Sequence, residues 1–202
     1  MTTEQKTKLI EIGQSIEPNF SISESDQNYY DQLFDYFMAV QDNKTNRGLF
    51  LNGELGTGKS LSIKLMKSAF GGFKIVMARH VLREFLQSKV SGMDILDIYG
   101  RNSYSNSSTT GYPDKKKPIH YCFDDVGAHE SSSKMYGNQT NVFTEILSDR
   151  YEEWKEFGMR TIIVTNSDPD AIEAMYGKRI RDRLREMCVP IKILGESKRK
   201  AV

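Results

Sequence analysis

The sequence has few of the residues that build metal sites or disulfides. It contains two cysteines, Cys122 and Cys188, and three histidines, His80, His120 and His129. Neither set has the spacing of a metal-binding cluster, and both cysteines stand among apolar residues in stretches typical of strands. This pattern favours two buried thiols over a disulfide or a metal site.

The chain also lacks a long apolar run and an excess of either charge. No segment is apolar for long enough to cross a bilayer, and the polar start, Met-Thr-Thr-Glu-Gln-Lys, is unlike a signal peptide. The net charge is +1, so any contact with nucleic acid has to come from local basic patches. We expect a cytoplasmic protein that makes no contact with a membrane.

One glycine-rich stretch is the most informative part of what the sequence does contain. Residues 53–60 read Gly-Glu-Leu-Gly-Thr-Gly-Lys-Ser, which fits the phosphate-binding pattern of Gly, four residues and Gly-Lys-Ser. Glycines let successive backbone amides point at one anion, Lys59 supplies positive charge for the β- and γ-phosphates, and the Ser60 hydroxyl suits Mg²⁺. The residues expected to contact the nucleotide are Gly53, Glu54, Leu55, Gly56, Thr57, Gly58, Lys59, Ser60 and Leu61.

Strands and helices alternate along the chain. Strands are predicted at 47–52, 73–77, 119–125, 161–165 and 189–194, with helices at 61–70, 138–157, 168–176 and 179–187, and further helical spacing around 29–38 and 81–86. This order predicts an α/β fold of three layers, in which helices flank a central parallel β-sheet. Residues 1–27 form a short N-terminal arm, either a short helix or a loosely packed segment, ahead of one domain over 28–202.

Residues 101–117 differ in composition from the rest of the chain. They are rich in Ser, Asn and Thr and predict a mobile polar insertion at the surface. Tyr104 and Tyr112 alternate with small polar residues ahead of the three lysines at 115–117, a pattern also found in contacts with single-stranded nucleic acid. A passive insertion and a nucleic-acid contact both stay open.

Polar side chains follow two of the predicted strands. The strand at 119–125 ends in Asp124 and Asp125, and the strand at 161–165 is followed by Asn166. Ligands of open parallel sheets lie at the carboxyl ends of the strands, so Asp124 is expected to reach Mg²⁺ and Asp125 to orient or deprotonate the attacking water. Asn166 is expected to hold that water, or alternatively to cap the helix near Asp168. For the Asp pair the alternative is a simple turn at the end of the strand.

A basic segment lies near the end of the chain. Residues 178–185 read Lys-Arg-Ile-Arg-Asp-Arg-Leu-Arg, and on a helix Arg179 and Arg183 share one face. The segment is either a solvated basic face or the source of an arginine finger, a guanidinium that stabilises phosphoryl-transfer charge in a neighbouring subunit.

Four of these stretches together resemble the DnaC/DnaI helicase-loader group of AAA+ ATPases, and the related IstB transposition helpers. They are residues 53–60, Phe-Asp-Asp-Val-Gly-Ala at 123–128, Val-Thr-Asn-Ser at 164–167 and Tyr-Gly-Lys-Arg-Ile-Arg-Asp-Arg-Leu-Arg at 176–185. The resemblance covers roughly residues 30–200 and implies a P-loop NTPase fold of the AAA+ type. It makes Asp124 and Asp125 the Walker B pair, Asn166 the first sensor and Arg183 the arginine finger, with Arg179 near the same interface. Gly-Glu-Ser-Lys-Arg at 195–199 makes Arg199 the second sensor.

The resemblance also implies a function. It indicates an ATPase that uses ATP and Mg²⁺, forms a homo-oligomer with ATP, works with a replicative helicase or a transposase, and binds single-stranded DNA. Its process would be DNA replication or the handling of mobile-element DNA. Two alternatives remain: a small-molecule P-loop kinase, and a nucleotide-gated adaptor with little turnover. The second is kept because Asp125 occupies the place where this fold family usually has the longer Glu.

Overall fold

The computed structural model describes residues 1–89, 92–105, 117–128, 134–135, 138–139, 141–195 and 197–198. Two sequence-based expectations therefore lie outside the described residues. They are the role of Arg199 as second sensor and the nucleic-acid contact by the central part of the insertion, residues 106–116.

The described helices and strands include every predicted one in the predicted order, together with one helix and four short strands that were not predicted. The helices are α1 (Thr3–Ile16), α2 (Glu24–Gln41), α3 (Lys59–Phe70), α4 (Ala78–Gln87), α5 (Met93–Tyr99), α6 (Val142–Phe157), α7 (Pro169–Tyr176) and α8 (Lys178–Met187). The strands are β1 (Gly48–Gly53), β2 (Lys74–Met77), β3 (Tyr104–Ser105), β4 (Lys117–Pro118), β5 (Tyr121–Val126), β6 (Lys134–Met135), β7 (Asn138–Gln139), β8 (Thr161–Thr165) and β9 (Cys188–Ile193).

Five of these strands form the central sheet. They are parallel and lie in the order β2-β5-β8-β1-β9, while β3 with β4 and β6 with β7 form short antiparallel pairs. Both faces of the sheet are buried. Successive residues of a strand point to opposite faces, and each face packs into its own apolar cluster. Phe50, Phe123 and Ile163 pack with α6 on one face, whereas Leu49, Leu51 and Ile162 pack with α2 and α3 on the other. The predicted three-layer α/β class is confirmed.

The N-terminal residues form the helix α1, which packs against the helices that cover one face of the sheet. Thr2 and Gln5 make a reciprocal capping box at the start of α1, which satisfies backbone N–H groups that the helix leaves without partners. Leu9 is buried, and the ring of Phe20 lies so close to Gly13 that a Cβ there would be 2.1 Å from it. Of the two expectations for residues 1–27, the structure has the helix.

The helix predicted at 138–157 begins later than expected, at Val142. The Asn141 side chain accepts hydrogen bonds from the backbone N–H groups of Phe143 and Thr144, so Asn141 is the N-cap at which the helix starts. Asn138 belongs instead to the short strand β7. The helix α5 was not predicted from the sequence at all.

A buried arginine holds both ends of the predicted insertion. The Arg150 guanidinium is fully buried and donates hydrogen bonds to Tyr99 O, Ser103 Oγ, Ile119 O, Arg160 O and Thr161 Oγ1 at distances of 2.6–3.2 Å. Within the described part of the chain it has no carboxylate partner, and burial lowers its pKa to about 9. The prediction that all of 101–117 is a mobile loop is therefore wrong at its ends, where β3 pairs with β4.

Both cysteines are buried and free, as predicted. Burial raises the pKa of the Cys188 thiol to about 12. None of the helices in the described part of the chain combines the length and apolar character needed to span a bilayer.

Candidate functional site

The glycine-rich stretch forms a loop between the end of β1 and the start of α3. Gly58 has φ 101° and stands at the N-cap of α3, and Gly56 has φ 83°. A Cβ at Gly56 would lie 2.1 Å from Ser197 Oγ, so a side chain there would collide as well as strain the backbone. The loop thus presents the N-terminus of α3, with its partial positive charge, to the carboxyl edge of the sheet.

Lys59 supplies a positive charge inside this loop. Its side chain is buried, and Nζ donates hydrogen bonds to the carbonyl oxygens of Gly53 and Glu54, each at 2.7 Å. These contacts curl the side chain back over the loop. The ammonium group therefore lies where the loop would enclose a phosphate.

Ser60 and Asp124 meet across the site. Ser60 Oγ donates a hydrogen bond to Asp124 Oδ1 at 3.0 Å, which joins the first turn of α3 to the end of β5. Asp124 is only 2% exposed, and this burial raises its pKa; Asp125 raises it further, while the bond from Ser60 opposes the shift. A hydroxyl beside a carboxylate fits Mg²⁺, because Mg²⁺ at phosphate sites takes few protein oxygens and completes its shell with phosphate and water.

Asp125 and Asn166 are also brought together. Asn166 Nδ2 donates a hydrogen bond to Asp125 Oδ1 at 3.4 Å. Asp125 has φ 65°, a left-handed conformation that Asp tolerates better than most residues, and the pairing register of β5 with β8 shifts at this point. The alternative role for Asn166, capping α7, is taken by Asp168, whose side chain accepts from the N–H groups of Asp170 and Ala171.

These residues border a cavity of about 430 Å³. Its lining includes the predicted residues Leu55, Gly56, Gly58, Lys59, Ser60, Leu61, Asp124, Asp125 and Asn166. Three predicted contact residues, Gly53, Glu54 and Thr57, do not line it; the Thr57 hydroxyl donates to Glu54 O within the loop. The cavity is also lined by Met77, Arg79, Val164, Thr165 and Lys198, which were not predicted.

Ser197 and Lys198, which we call the C-terminal strap, cross the phosphate loop. The Lys198 N–H donates to Gly56 O at 2.9 Å. The Lys198 ammonium donates to Asp26 Oδ2 at 2.6 Å, near the start of α2. Burial, the largest single influence, raises the pKa of Asp26, but hydrogen bonds from Lys198 and Ser23 outweigh it and leave this pKa below its usual value. The strap thus adds the Lys198 ammonium group to the cavity lining, and the ion pair with Asp26 attaches the strap to α2.

Arg179 and Arg183 lie away from this cavity. Arg183 donates to Glu152 Oε1 at 2.6 Å and to Ser148 O at 3.4 Å, and its guanidinium carbon lies 4.7 Å from the centre of the Tyr151 ring. With the exposed Arg179 it borders a separate cavity of about 380 Å³ between α6 and α8. The structure therefore does not bring the two predicted finger arginines to the phosphate loop of the same chain.

No family model matches the sequence, and no curated protein matches it significantly. Solved structures do match the fold. A structure of DnaI aligns over 96% of this chain and 84% of its own, with a TM-score of 0.51 and 18% identity. The DnaC helicase loader aligns over 88% of this chain and 95% of its own, with a TM-score of 0.54 and 15% identity. The chain has a DnaC-like AAA+ fold.

DnaA from Aquifex aeolicus, solved with AMPPCP bound, shares this AAA+ fold. It aligns over 86% of this chain and 49% of its own, with a TM-score of 0.53 and 15% identity. The likeness to DnaC and DnaI that the motifs indicate is thus confirmed for the fold, while the link to the IstB helpers stays a prediction. Sequence identities this low concern the fold alone.

Proposed function

We propose that this protein binds ATP with Mg²⁺ and hydrolyses it as a DnaC-like ATPase, acting in DNA replication as a helicase loader or in the handling of mobile-element DNA. The observation that carries the proposal is the contact of Ser60 with Asp124, beside an ammonium group curled into the phosphate loop. A hydroxyl, a buried carboxylate and a lysine in this arrangement are the parts that P-loop enzymes use to hold a nucleotide and its metal.

Each side chain has a distinct task in this proposal. Lys59 binds phosphate oxygens, and Ser60 and Asp124 hold the metal, which neutralises phosphate charge when bound. Asp125 orients the attacking water and takes up its proton. Asn166 fixes the Asp125 carboxylate through the bond at 3.4 Å, which it does without adding charge.

The position of the arginines supports the proposal that the protein assembles into a homo-oligomer with ATP. A finger that works in a neighbouring subunit has to lie away from its own phosphate loop, and Arg183 and Arg179 border the other cavity. Arg183 would have to exchange its bond to Glu152 for a phosphate oxygen of the neighbour. Nucleotide binding and assembly are then linked, because each composite site needs two chains.

The proposal of single-stranded DNA binding rests on the resemblance of the motifs to the helicase-loader group and on a small basic surface. Exposed Arg79, His80 and Arg83 on α4 continue outward from the nucleotide cavity. A replicative helicase or a transposase is the proposed protein partner. DNA binding through such residues should weaken steeply as salt concentration rises.

The deciding experiment measures ATP binding and phosphate release for the wild-type protein, Lys59→Ala and the control Lys67→Ala. Both lysines are on α3, but Lys67 is exposed and does not line the cavity. We expect Lys59→Ala alone to lose ATP binding. Unchanged binding in a folded Lys59→Ala variant would refute the proposed site, and phosphate transfer only to a small acceptor would point to a kinase.

A nucleotide-gated adaptor with little turnover is the second candidate, because of Asp125. Its carboxylate is one methylene shorter than Glu and is held by Asn166 on a left-handed backbone. Single-turnover hydrolysis separates the two functions. If side-chain length limits the reaction, Asp125→Glu should speed hydrolysis, whereas an adaptor would show no hydrolysis in either form.

A further inference from the structure

A further cavity lies at the end of the sheet opposite the phosphate loop. It has a volume of about 190 Å³, and we call it the amino-edge pocket; its lining includes Tyr36, Phe37, Phe70, Phe73, His120 and Arg160. His120 and Arg160 immediately precede β5 and β8, and Phe73 precedes β2. Because these strands are parallel to β1, their starts lie at the other end of the sheet from the loop that follows β1.

One wall of the amino-edge pocket is aromatic. The Phe37 ring stacks with Phe70 at a centroid distance of 5.5 Å and with Phe73 at 5.6 Å. Phe37 is buried, while Phe70 and Phe73 are half-buried and keep part of their surface accessible. The wall offers an apolar surface to the body of a ligand.

His120 contributes a hydrogen-bond donor. Its Nδ1 accepts a bond from the Arg160 backbone N–H at 3.0 Å, so the proton of the neutral ring is on Nε2. Burial lowers the pKa of His120 to about 4, with the charges of Arg160 and Arg150 acting in the same direction. At neutral pH the ring is therefore uncharged and carries one N–H.

Arg160 contributes a positive charge that the described residues do not balance. Its guanidinium makes no hydrogen bond or ion pair within the described part of the chain, although the residue is half-buried and burial lowers its pKa. No Asp or Glu among the described residues lines the pocket. Arg150, in contrast, has its donors matched by backbone and hydroxyl oxygens. A half-buried cation without an anion suits an anionic ligand.

We propose that the amino-edge pocket binds the carboxylate of an acidic residue from a peptide segment of a protein partner, with an apolar neighbour of that residue on the phenylalanine wall. A volume near 190 Å³ suits one or two side chains, whereas sites for whole small molecules begin at about 300 Å³. Among the described lining residues Arg160 is the one cation, which matches one carboxylate. Nucleic acid draws its affinity from several phosphate contacts, which this pocket lacks.

The test uses a pair of dipeptides that differ only in charge, N-acetyl-Phe-Glu-amide and N-acetyl-Phe-Gln-amide. Binding is followed by the amide NMR signals of Gly71 and Gly72, which line the pocket. We expect the Glu peptide to bind about tenfold more tightly than the Gln peptide, as a charge-assisted hydrogen bond allows. A single-stranded oligothymidylate is titrated in parallel and should leave these two signals unchanged.

Two variants complete the test. Arg160→Gln should remove the preference for the Glu peptide, whereas Lys74→Gln should keep it, because Lys74 is exposed at the same sheet edge and does not line the pocket. ATP binding should be the same in both variants, so the peptide test can fail without any bearing on the proposed nucleotide site. Equal binding of the two peptides, or a preference that persists in Arg160→Gln, overturns the proposal. Larger shifts with the oligothymidylate would assign the pocket to nucleic acid instead.

Discussion

The ion pair between Lys198 and Asp26 should contribute measurably to the stability of the fold. It closes the C-terminal strap over the phosphate loop and joins it to α2. Asp26→Asn removes the negative charge but keeps an oxygen that accepts from Ser23, so the cap of α2 is retained. Lys198→Gln removes the positive charge from the other side. The two changes and their combination form a double-mutant cycle.

The burial of the two side chains sets the expected size of the effect. Exposed ion pairs contribute about 0.2–1 kcal/mol, whereas removing one partner of a buried pair costs about 3–5 kcal/mol. The Asp26 side chain is 7% exposed and that of Lys198 is 48% exposed, so the pair falls between these limits. We expect Asp26→Asn to lower the free energy of unfolding by about 1–2 kcal/mol, with a coupling energy near 1 kcal/mol.

The pH dependence follows from the lowered pKa of Asp26. A carboxyl group that is more acidic in the folded state stabilises the fold above its unfolded pKa of about 3.9, and this contribution is lost as the pH falls through the folded value. Urea unfolding of the four proteins at pH 7 and at pH 3 measures both effects. A coupling energy below about 0.3 kcal/mol at pH 7, within the error of additivity, would refute the argument. So would a difference in unfolding free energy between wild type and Asp26→Asn that is as large at pH 3 as at pH 7.

Three further predictions concern separate parts of the molecule. Lys198→Gln should weaken ATP binding about fivefold through the loss of a cation that lines the cavity, with Lys192→Gln as an exposed control on β9, both by calorimetry. Arg183→Ala should leave ATP binding intact and abolish hydrolysis; full activity in dilute solution would contradict a finger acting between subunits. Because the folded pKa of His120 is about 4, against an unfolded value near 6.5, unfolded chains bind the proton first. The free energy of unfolding should therefore fall by up to about 3 kcal/mol between pH 6.5 and pH 4, and this fall should be smaller in the His120→Asn variant. Urea unfolding at the two pH values measures it.

The parts of the site at the carboxyl ends of strands were predictable. The glycine-rich loop follows β1, Asn166 follows β8 and Asp124 lies towards the carboxyl end of β5, and parallel strands deliver these ends to one edge of the sheet. The contact of Ser60 with Asp124 follows from that geometry once the strands are known. The fold class was predictable for the same reason, because the alternation of strands and helices determines it.

The cavity residues that the sequence did not predict are brought to the site by tertiary structure, including the spatial order of the strands. Arg79 lines the cavity because β2, which it follows closely, lies next to β5, and no local pattern gives that neighbour. Lys198 lies at the loop through its backbone bond to Gly56 and its ion pair with Asp26, 172 positions earlier in the chain. The left-handed backbone at Asp125 arises with the shift in pairing between β5 and β8. These are tertiary effects that periodicity does not encode.

Arg150 makes the stretch between β3 and β4 a natural place to alter the protein. Its guanidinium holds Ser103 and Ile119, which flank the paired strands, so the two ends of residues 106–116 are fixed by the core. When the ends of a loop are already held together, doubling its length costs only about 0.6 kcal/mol of closure entropy. A fluorescent tag or a recognition peptide inserted there should leave the rest of the domain folded, and natural variation in length at this position should be equally inexpensive.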